Sequence, residues 1–292
     1  MFKGWKMIKL AKFCGFCFGV KNAIEVVENL LKEEKKVATL GNIIHSPQVV
    51  LNFKKKGVLV VENPNEIKDD EVLVIRSHGV PLKIYSEIEK LKIEFKDATC
   101  PFVKRIHKKV FEFSKDNKFV LVAGDKNHPE VKGIVGHCKR FFVFSNLLEL
   151  ENFFKENENL KNEEILVVAQ TTFNIKIWEE TTRYIKHICE NCVIFCSICS
   201  ATIKRQQEAK EGSKNCDFAV VVGGKNSSNT RKLFNICSEN CKTFLIENVD
   251  ELENLDCSFK DKDVFLTAGA STPDFLIKEV FDNLNKKINN LN

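Results

Sequence analysis

The chain has 292 residues, 43% hydrophobic and 29% charged, values ordinary for a soluble globular protein and enough for two or three small domains. No apolar run approaches the roughly 18 residues that span a bilayer, which excludes an integral membrane protein. Forty-five basic against forty acidic residues give a net charge of +5. That surplus suits an anionic small molecule as well as nucleic acid, but no basic block stands out.

In chain order, Met1–Phe13 alternates Lys with short apolar stretches. It has neither an apolar signal core nor a small-residue cleavage site, which argues against secretion and for the cytoplasm. A first strand is expected near Met7. A threefold repeat then starts at Cys17, Cys100 and Cys199, spaced 83 and 99 residues apart. After each cysteine a helix is expected. Val20, Ile24, Val27 and Leu31 share one face of the first, and Val103, Ile106, Val110 and Phe113 one face of the second. The third, Lys204–Lys214, is charged and its apolar face is weak.

A short apolar strand follows each helix: Val37–Leu40, Phe119–Ala123 and Phe218–Val222. Each ends 23 residues after its cysteine and is followed by glycine, Gly41, Gly124 or Gly223. Four residues further on stand His45, His128 and Ser227. Second strands are expected at Val58–Val61, Phe141–Phe144 and Thr243–Ile246. Third strands are expected at Val72–Ile75, Ile165–Ala169 and Val264–Ala268. Each of the third strands runs into a polar loop bearing His78, Thr171 with Thr172, or Ser271. From Pro273 on, Phe275, Ile277, Val280 and Phe281 mark a last helix.

This alternation predicts an α/β protein of three similar small domains with mainly parallel sheets, related by a pseudo-threefold axis around a central site. The expected boundaries are 1–99, 100–198 and 199–272, with the tail 273–292 packing back on the first unit. Ligands of parallel sheets bind beyond the carboxyl ends of the strands, where all the singled-out loops lie.

Twelve cysteines in a chain without a secretion signal point to metal, redox chemistry or plain packing rather than disulfides. Three register-matched thiolates suit a soft metal centre, and three ligands on a four-iron cluster leave one iron open. His45, His78, His128, Thr171, Thr172, Ser227, Ser228, Asn229 and Ser271 offer a set of donors that suits phosphate oxygens. Gly223–Asn229 resembles a phosphate-binding turn. Glu130, two residues after His128, is a candidate proton donor, with capping of the next helix as the plainer role. Cys138, Cys216, Cys237, Cys241 and Cys257 read as inert core thiols, and Cys14 and Cys196 as passive neighbours. His107 and His187 read as surface or packing residues and His137 as a helix cap.

Seven motifs, in order over nearly the whole chain, carry a closer resemblance. They are Gly15–Val20 (GFCFGV), Arg76–Val80 (RSHGV), Asp97–Pro101 (DATCP), Asn127–Val131 (NHPEV), Ala169–Phe173 (AQTTF), Lys225–Asn229 (KNSSN) and Thr267–Ser271 (TAGAS). Together they resemble the LytB-type 4-hydroxy-3-methylbut-2-enyl diphosphate reductases of the methylerythritol phosphate route to isoprenoids. Cys196 and Ser197 stand where that family usually has Asp and Thr. The resemblance implies a [4Fe–4S] cluster held by Cys17, Cys100 and Cys199, its open iron taking the substrate hydroxyl. It implies a diphosphate held by the His, Ser, Thr and Asn set, with Glu130 relaying a proton and Thr171 beside the hydroxyl. It also implies ferredoxin or flavodoxin as electron donor, no nucleic acid or membrane partner, and a monomer or weak homo-oligomer. Two other readings compete: a zinc module built on Cys189, Cys192, Cys196 and Cys199, and a nucleotide-binding regulatory α/β protein using the Gly-rich turn.

Overall fold

A computed structural model describes residues 7–289. The first repeat brings β1 (Ile8–Leu10), α1 (Phe18–Lys32), β2 (Lys36–Leu40), α2 (Pro47–Lys55), β3 (Leu59–Val61), β4 (Glu71–Ile75), α3 (Leu82–Lys90) and β5 (Phe95–Asp97). The second brings α4 (Pro101–Ser114), β6 (Phe119–Ala123), α5 (Pro129–Val135), β7 (Arg140–Phe144), α6 (Leu147–Glu156), β8 (Ile165–Ala169), α7 (Ile175–Ile188) and β9 (Cys192–Ile194). The third brings α8 (Ser200–Ser213), β10 (Phe218–Val222), α9 (Ser228–Ser238), β11 (Lys242–Ile246), α10 (Val249–Glu253), β12 (Val264–Ala268) and α11 (Asp274–Asn289).

The strands form three four-stranded sheets, all parallel, ordered β3-β2-β4-β5, β7-β6-β8-β9 and β11-β10-β12-β1. Each sheet therefore has one layout: second strand, first, third, then a short strand that leads to a cysteine. The expected α/β class and the nine expected repeat strands are present, eight of them five residues long and β3 three. β5 was not expected, and β1 lies in a different sheet from the one expected. It pairs with β12, Ile8 opposite Val264, so residues 8–10 close the third sheet rather than the first.

Register explains why the loops align. In each sheet the first three strands end level: Leu40 pairs with Val61 and Ile75, Ala123 with Phe144 and Ala169, Val222 with Ile246 and Ala268. The next backbone N–H then closes the edge in the same way three times. Gly41, Gly124 and Gly223 donate to the carbonyls of Val61, Phe144 and Ile246 at 2.7, 2.8 and 2.9 Å.

The central strands are buried on both faces, as parallel strands covered by helices must be. On β10 and β12 the two sides separate by parity. Val220, Val222, Val264, Leu266 and Ala268 pack on Leu276, Ile277, Val280 and Leu284 of α11. Ala219, Val221 and Phe265 pack on Ala209 of α8 and Leu233 of α9. The apolar stripe of α11 packs on the third sheet, and Ile8 and Cys14 from the N-terminal part of the expected first unit pack against the same cluster, so the tail meets that unit only through the segment that β1 carries into the third sheet. Residues 290–292 of that tail lie outside the described residues.

The described residues form two compact bodies. One comprises 7–17, 45–49 and 200–289 and holds the third sheet; the other comprises 18–44 and 50–199 and holds the first two sheets. Among the described residues no helix is long and apolar enough to cross a membrane.

Candidate functional site

Each of the three cysteines stands just before a helix, and each is fastened by the same hydrogen bond. The N–H of Cys100 donates to Ser77 O, that of Cys199 to Thr171 O and that of Cys17 to Ala270 O, all at 3.0 Å. Ser77, Thr171 and Ala270 each lie two residues beyond the end of the third strand of a sheet. Three loops of different length and sequence thus place a cysteine at the equivalent position on the strand-end edge of each separate sheet.

In the body of the first two sheets, Cys100 is the N-cap of α4, with Pro101 in the first helical position where its missing N–H costs nothing. Gly19, the second residue of α1, packs on it: a Cβ there would lie 2.6 Å from the Cys100 sulfur and 2.9 Å from its Cβ. Glycine is required at this point by close approach, not by backbone angle. The segment before Cys199 is pinned by Ser197. Its buried hydroxyl accepts from Ala169 N–H at 2.7 Å and donates to Ala169 O at 2.6 Å.

Glu130 is buried, and both its oxygens serve Thr171: Oε1 accepts the Thr171 N–H at 2.6 Å and Oε2 accepts the Thr171 hydroxyl at 2.8 Å. The capping role considered for Glu130 is filled by its neighbour instead. His128 is the N-cap of α5, and its Nδ1 accepts the Glu130 N–H at 3.1 Å. A neutral ring that accepts at Nδ1 carries its proton on Nε2, so His128 offers an N–H donor at the other side. The ring of His78 meets that of His128 edge-on, centroids 5.4 Å apart. Gln170, not singled out from sequence, orients the same edge: it accepts from Asp125 N–H and donates to the Thr172 hydroxyl at 3.0 Å.

In the other body, the Cys17 segment is held by α8, the helix whose apolar pattern is weak. Buried Arg205 donates to Gly15 O at 2.8 Å, and Glu208 accepts from the N–H groups of Lys12 and Phe13 at 2.7 and 2.8 Å. Ser271 donates to His45 O at 2.8 Å. Ser227 is the N-cap of α9 and accepts from Thr230 N–H. Ser228 accepts from Lys232 Nζ at 2.9 Å. Asn229 is buried, yet neither its Oδ1 nor its Nδ2 has a hydrogen-bond partner among the described residues. A buried amide with both ends open needs a ligand or water to satisfy it. Lys225 of the Gly-rich turn is held by Glu251 at 2.7 Å, so the turn's own cation is already paired.

The remaining cysteines divide as their surroundings dictate. Burial pushes the thiols of Cys138 and Cys237 up to about 12, and those of Cys216, Cys241 and Cys257 upward as well. Cys14 is raised chiefly by burial, and its Sγ contacts Ala11 O at 3.1 Å. Cys196 is exposed. The zinc alternative is not supported. Cys189 is buried with its thiol raised to about 11, and Cys192 opens strand β9, whose backbone is committed to pairing with β8.

The family model described as "LytB protein" matches residues 8–285. The reductase named 4-hydroxy-3-methylbut-2-enyl diphosphate reductase from Caldanaerobacter subterraneus subsp. tengcongensis is 42% identical over 288 residues, covering 95% of this chain and 96% of that protein. One of the same name from Clostridioides difficile is 42% identical over 275 residues, 94% of this chain and 97% of its own length. The solved E-1-hydroxy-2-methyl-but-2-enyl-4-diphosphate reductase of Plasmodium falciparum superposes with a TM-score of 0.85 at 29% identity, covering 96% of this chain and 88% of that one.

Proposed function

Because the chain belongs to the LytB family, we propose that it is an oxidoreductase that converts 4-hydroxy-3-methylbut-2-enyl diphosphate into isopentenyl and dimethylallyl diphosphates. Two electrons and two protons enter and the allylic hydroxyl leaves as water. This is the last step of the methylerythritol phosphate route.

Cys17, Cys100 and Cys199 are the ligands of a [4Fe–4S] cluster. The observation that carries this assignment is the repeated hydrogen bond from each cysteine N–H to the residue two past a third strand. The clearance at Gly19 fits it too, since that glycine leaves the Cys100 sulfur room that any side chain would take. Such a cluster supplies electrons and one iron without a protein ligand.

The protein's own groups do the rest. His45, His78, His128, Ser227, Ser228, Asn229, Thr172 and Ser271 receive the diphosphate. The open amide of Asn229 is a donor already in place. Thr171 orients the substrate hydroxyl. Its own hydroxyl hydrogen points to Glu130, so Oγ1 is left to accept a proton-bearing group. Once Glu130 has taken up a proton from solvent, it donates to Thr171 Oγ1 while the hydrogen already on Oγ1 passes to the departing hydroxyl, which leaves as water. The electrons come from a small ferredoxin- or flavodoxin-like carrier.

The test is metal analysis after oxygen-free purification, followed by assay with the allylic diphosphate and a low-potential donor. About four iron and four sulfide per chain, with turnover, are expected. A zinc-loaded, sulfide-free protein without turnover would overturn the assignment.

A further inference from the structure

His107 lies two turns into α4 and is 5% exposed. Its ring stacks on His137, centroids 4.2 Å apart and planes inclined by 24°. His137 is itself tied by Nδ1 to Gly133 O at 2.9 Å. The edge of the His107 ring faces two glycines. A Cβ on Gly79 would lie 2.6 Å from its Cε1, and one on Gly133 would lie 3.1 Å from its Nε2.

The two glycines belong to two different parts of the candidate site. Gly79 follows His78 and has φ +71°, a conformation that favours glycine. Gly133 lies one turn beyond Glu130 on α5, the helix capped by His128. The two parts touch here: a Cβ on Gly133 would also come within 3.5 Å of His78 O. Next to them, Gly136 packs on Pro81, and Gly136 O accepts from Leu82 N–H at 3.4 Å. His107 is the floor on which both rest.

Packing alone does not account for an imidazole at this point. Its Nε2 is buried without a hydrogen-bond partner among the described residues, and an unsatisfied buried polar atom costs about 1–3 kcal/mol. We propose that His107 is a positioning residue whose ring sets the separation between His78 and the His128–Glu130 turn. The proposal rests on the reading of those residues as the diphosphate and proton machinery. Burial, reinforced by His137, drives the His107 pKa down to about 3, so the ring stays uncharged and the spacing is fixed near neutral pH.

The test reads geometry and binding separately. His107→Ala and Gly133→Ala are made singly and together in the oxygen-free protein, with the histidine rings isotope-labelled for NMR. In His107→Ala the signals of His78 and His128 are expected to shift together, while that of exposed His187 stays. Affinity for inorganic diphosphate, measured by calorimetry, is expected to fall about tenfold, as for a site loosened by a fraction of an ångström. Gly133→Ala perturbs the same two signals from the other side. In the double variant the new methyl occupies part of the vacated space and recovers part of both effects. Should His107→Ala fail to fold, Gly133→Ala alone still decides through the His78 and His128 signals. The proposal is overturned if only the His137 signal moves, or if the two substitutions add without recovery. A wild-type protein that binds no diphosphate would count against the functional reading, and the NMR arm would still decide the spacing.

Discussion

Replacing Gly19 with alanine separates cluster binding from folding. The new methyl would sit 2.6 Å from the Cys100 sulfur and 2.9 Å from its Cβ. Comfortable non-bonded contacts between heavy atoms lie at about 3.5–4.0 Å, so the thiol must retreat by roughly 1 Å. Overpacking of this kind costs about 1–3 kcal/mol. Alanine is intrinsically better than glycine in a helix by up to about 1 kcal/mol, which offsets part of that. The net change in stability is therefore small, between about zero and 2 kcal/mol. A metal site, by contrast, tolerates ligand displacements of only about 0.2 Å. The expected outcome is a folded protein with a nearly unchanged denaturation midpoint, severalfold less bound iron and correspondingly little turnover. Iron content, the visible cluster absorbance and a urea titration on one preparation check it. Full iron occupancy in Gly19→Ala would refute both the clearance argument and the ligand role of Cys100.

Glu130→Gln keeps the shape but can no longer take hydrogens from both Thr171 groups, nor release a proton. Iron content should be unchanged and turnover should fall about 100-fold or more; normal turnover would remove Glu130 from the proton path. Ser197→Ala leaves the buried N–H of Ala169 without its partner. A loss of about 1–3 kcal/mol in stability is expected, with faster iron loss on dilution into chelator, and Ser197→Thr should restore both. His107 gives a pH dependence. Its pKa is about 3 in the folded protein, held down first by burial and then by His137, against an ordinary value of 6.5. Between those values the unfolded chain binds the extra proton, so this contribution to stability is complete above pH 6.5 and is lost as pH falls toward 3. Urea midpoints measured from pH 7 to pH 4.5 should fall less steeply in His107→Ala than in the wild type; parallel slopes would show that His107 is not buried neutral.

The threefold register was readable because an identical spacing joins each cysteine to the end of the following strand, and a helix-plus-strand unit of fixed length has little freedom to vary. The three-residue edge strands were harder. β5 contains Lys96, and its extended form is set by pairing with β4 rather than by its own composition. β1 finds its partner more than 250 residues away in β12, which no local pattern announces. The role of α8 was hidden for a different reason. Its residues read as a solvated face, yet Thr202, Arg205, Gln206 and Ser213 are buried. A helix that buries polar groups must give them partners, and Arg205 finds its own in the loop before Cys17. The exposed-looking composition of that helix was itself the clue, since every other repeat has an apolar helix at the same place. Ser197 was noticed only as a departure from a family pattern. Its hydroxyl turns out to bridge both backbone groups of Ala169.

The pairing of β1 with β12 also sets the order in which the chain can mature. Residues 8–17 are made well before their partners: the strand that receives β1 and the Ala270 carbonyl that fastens Cys17 follow more than 240 residues later. At synthesis rates of about 5–20 residues per second, that interval is on the order of ten seconds or more. Closing so long a loop is a slow, non-local step. During this time Cys17 is present without its backbone anchor, whereas Cys100 already has Ser77 within reach. The backbone anchor of Cys17 is thus completed only after β12 and the Ala270 loop have been made, whereas that of Cys100 needs only a nearby stretch of chain.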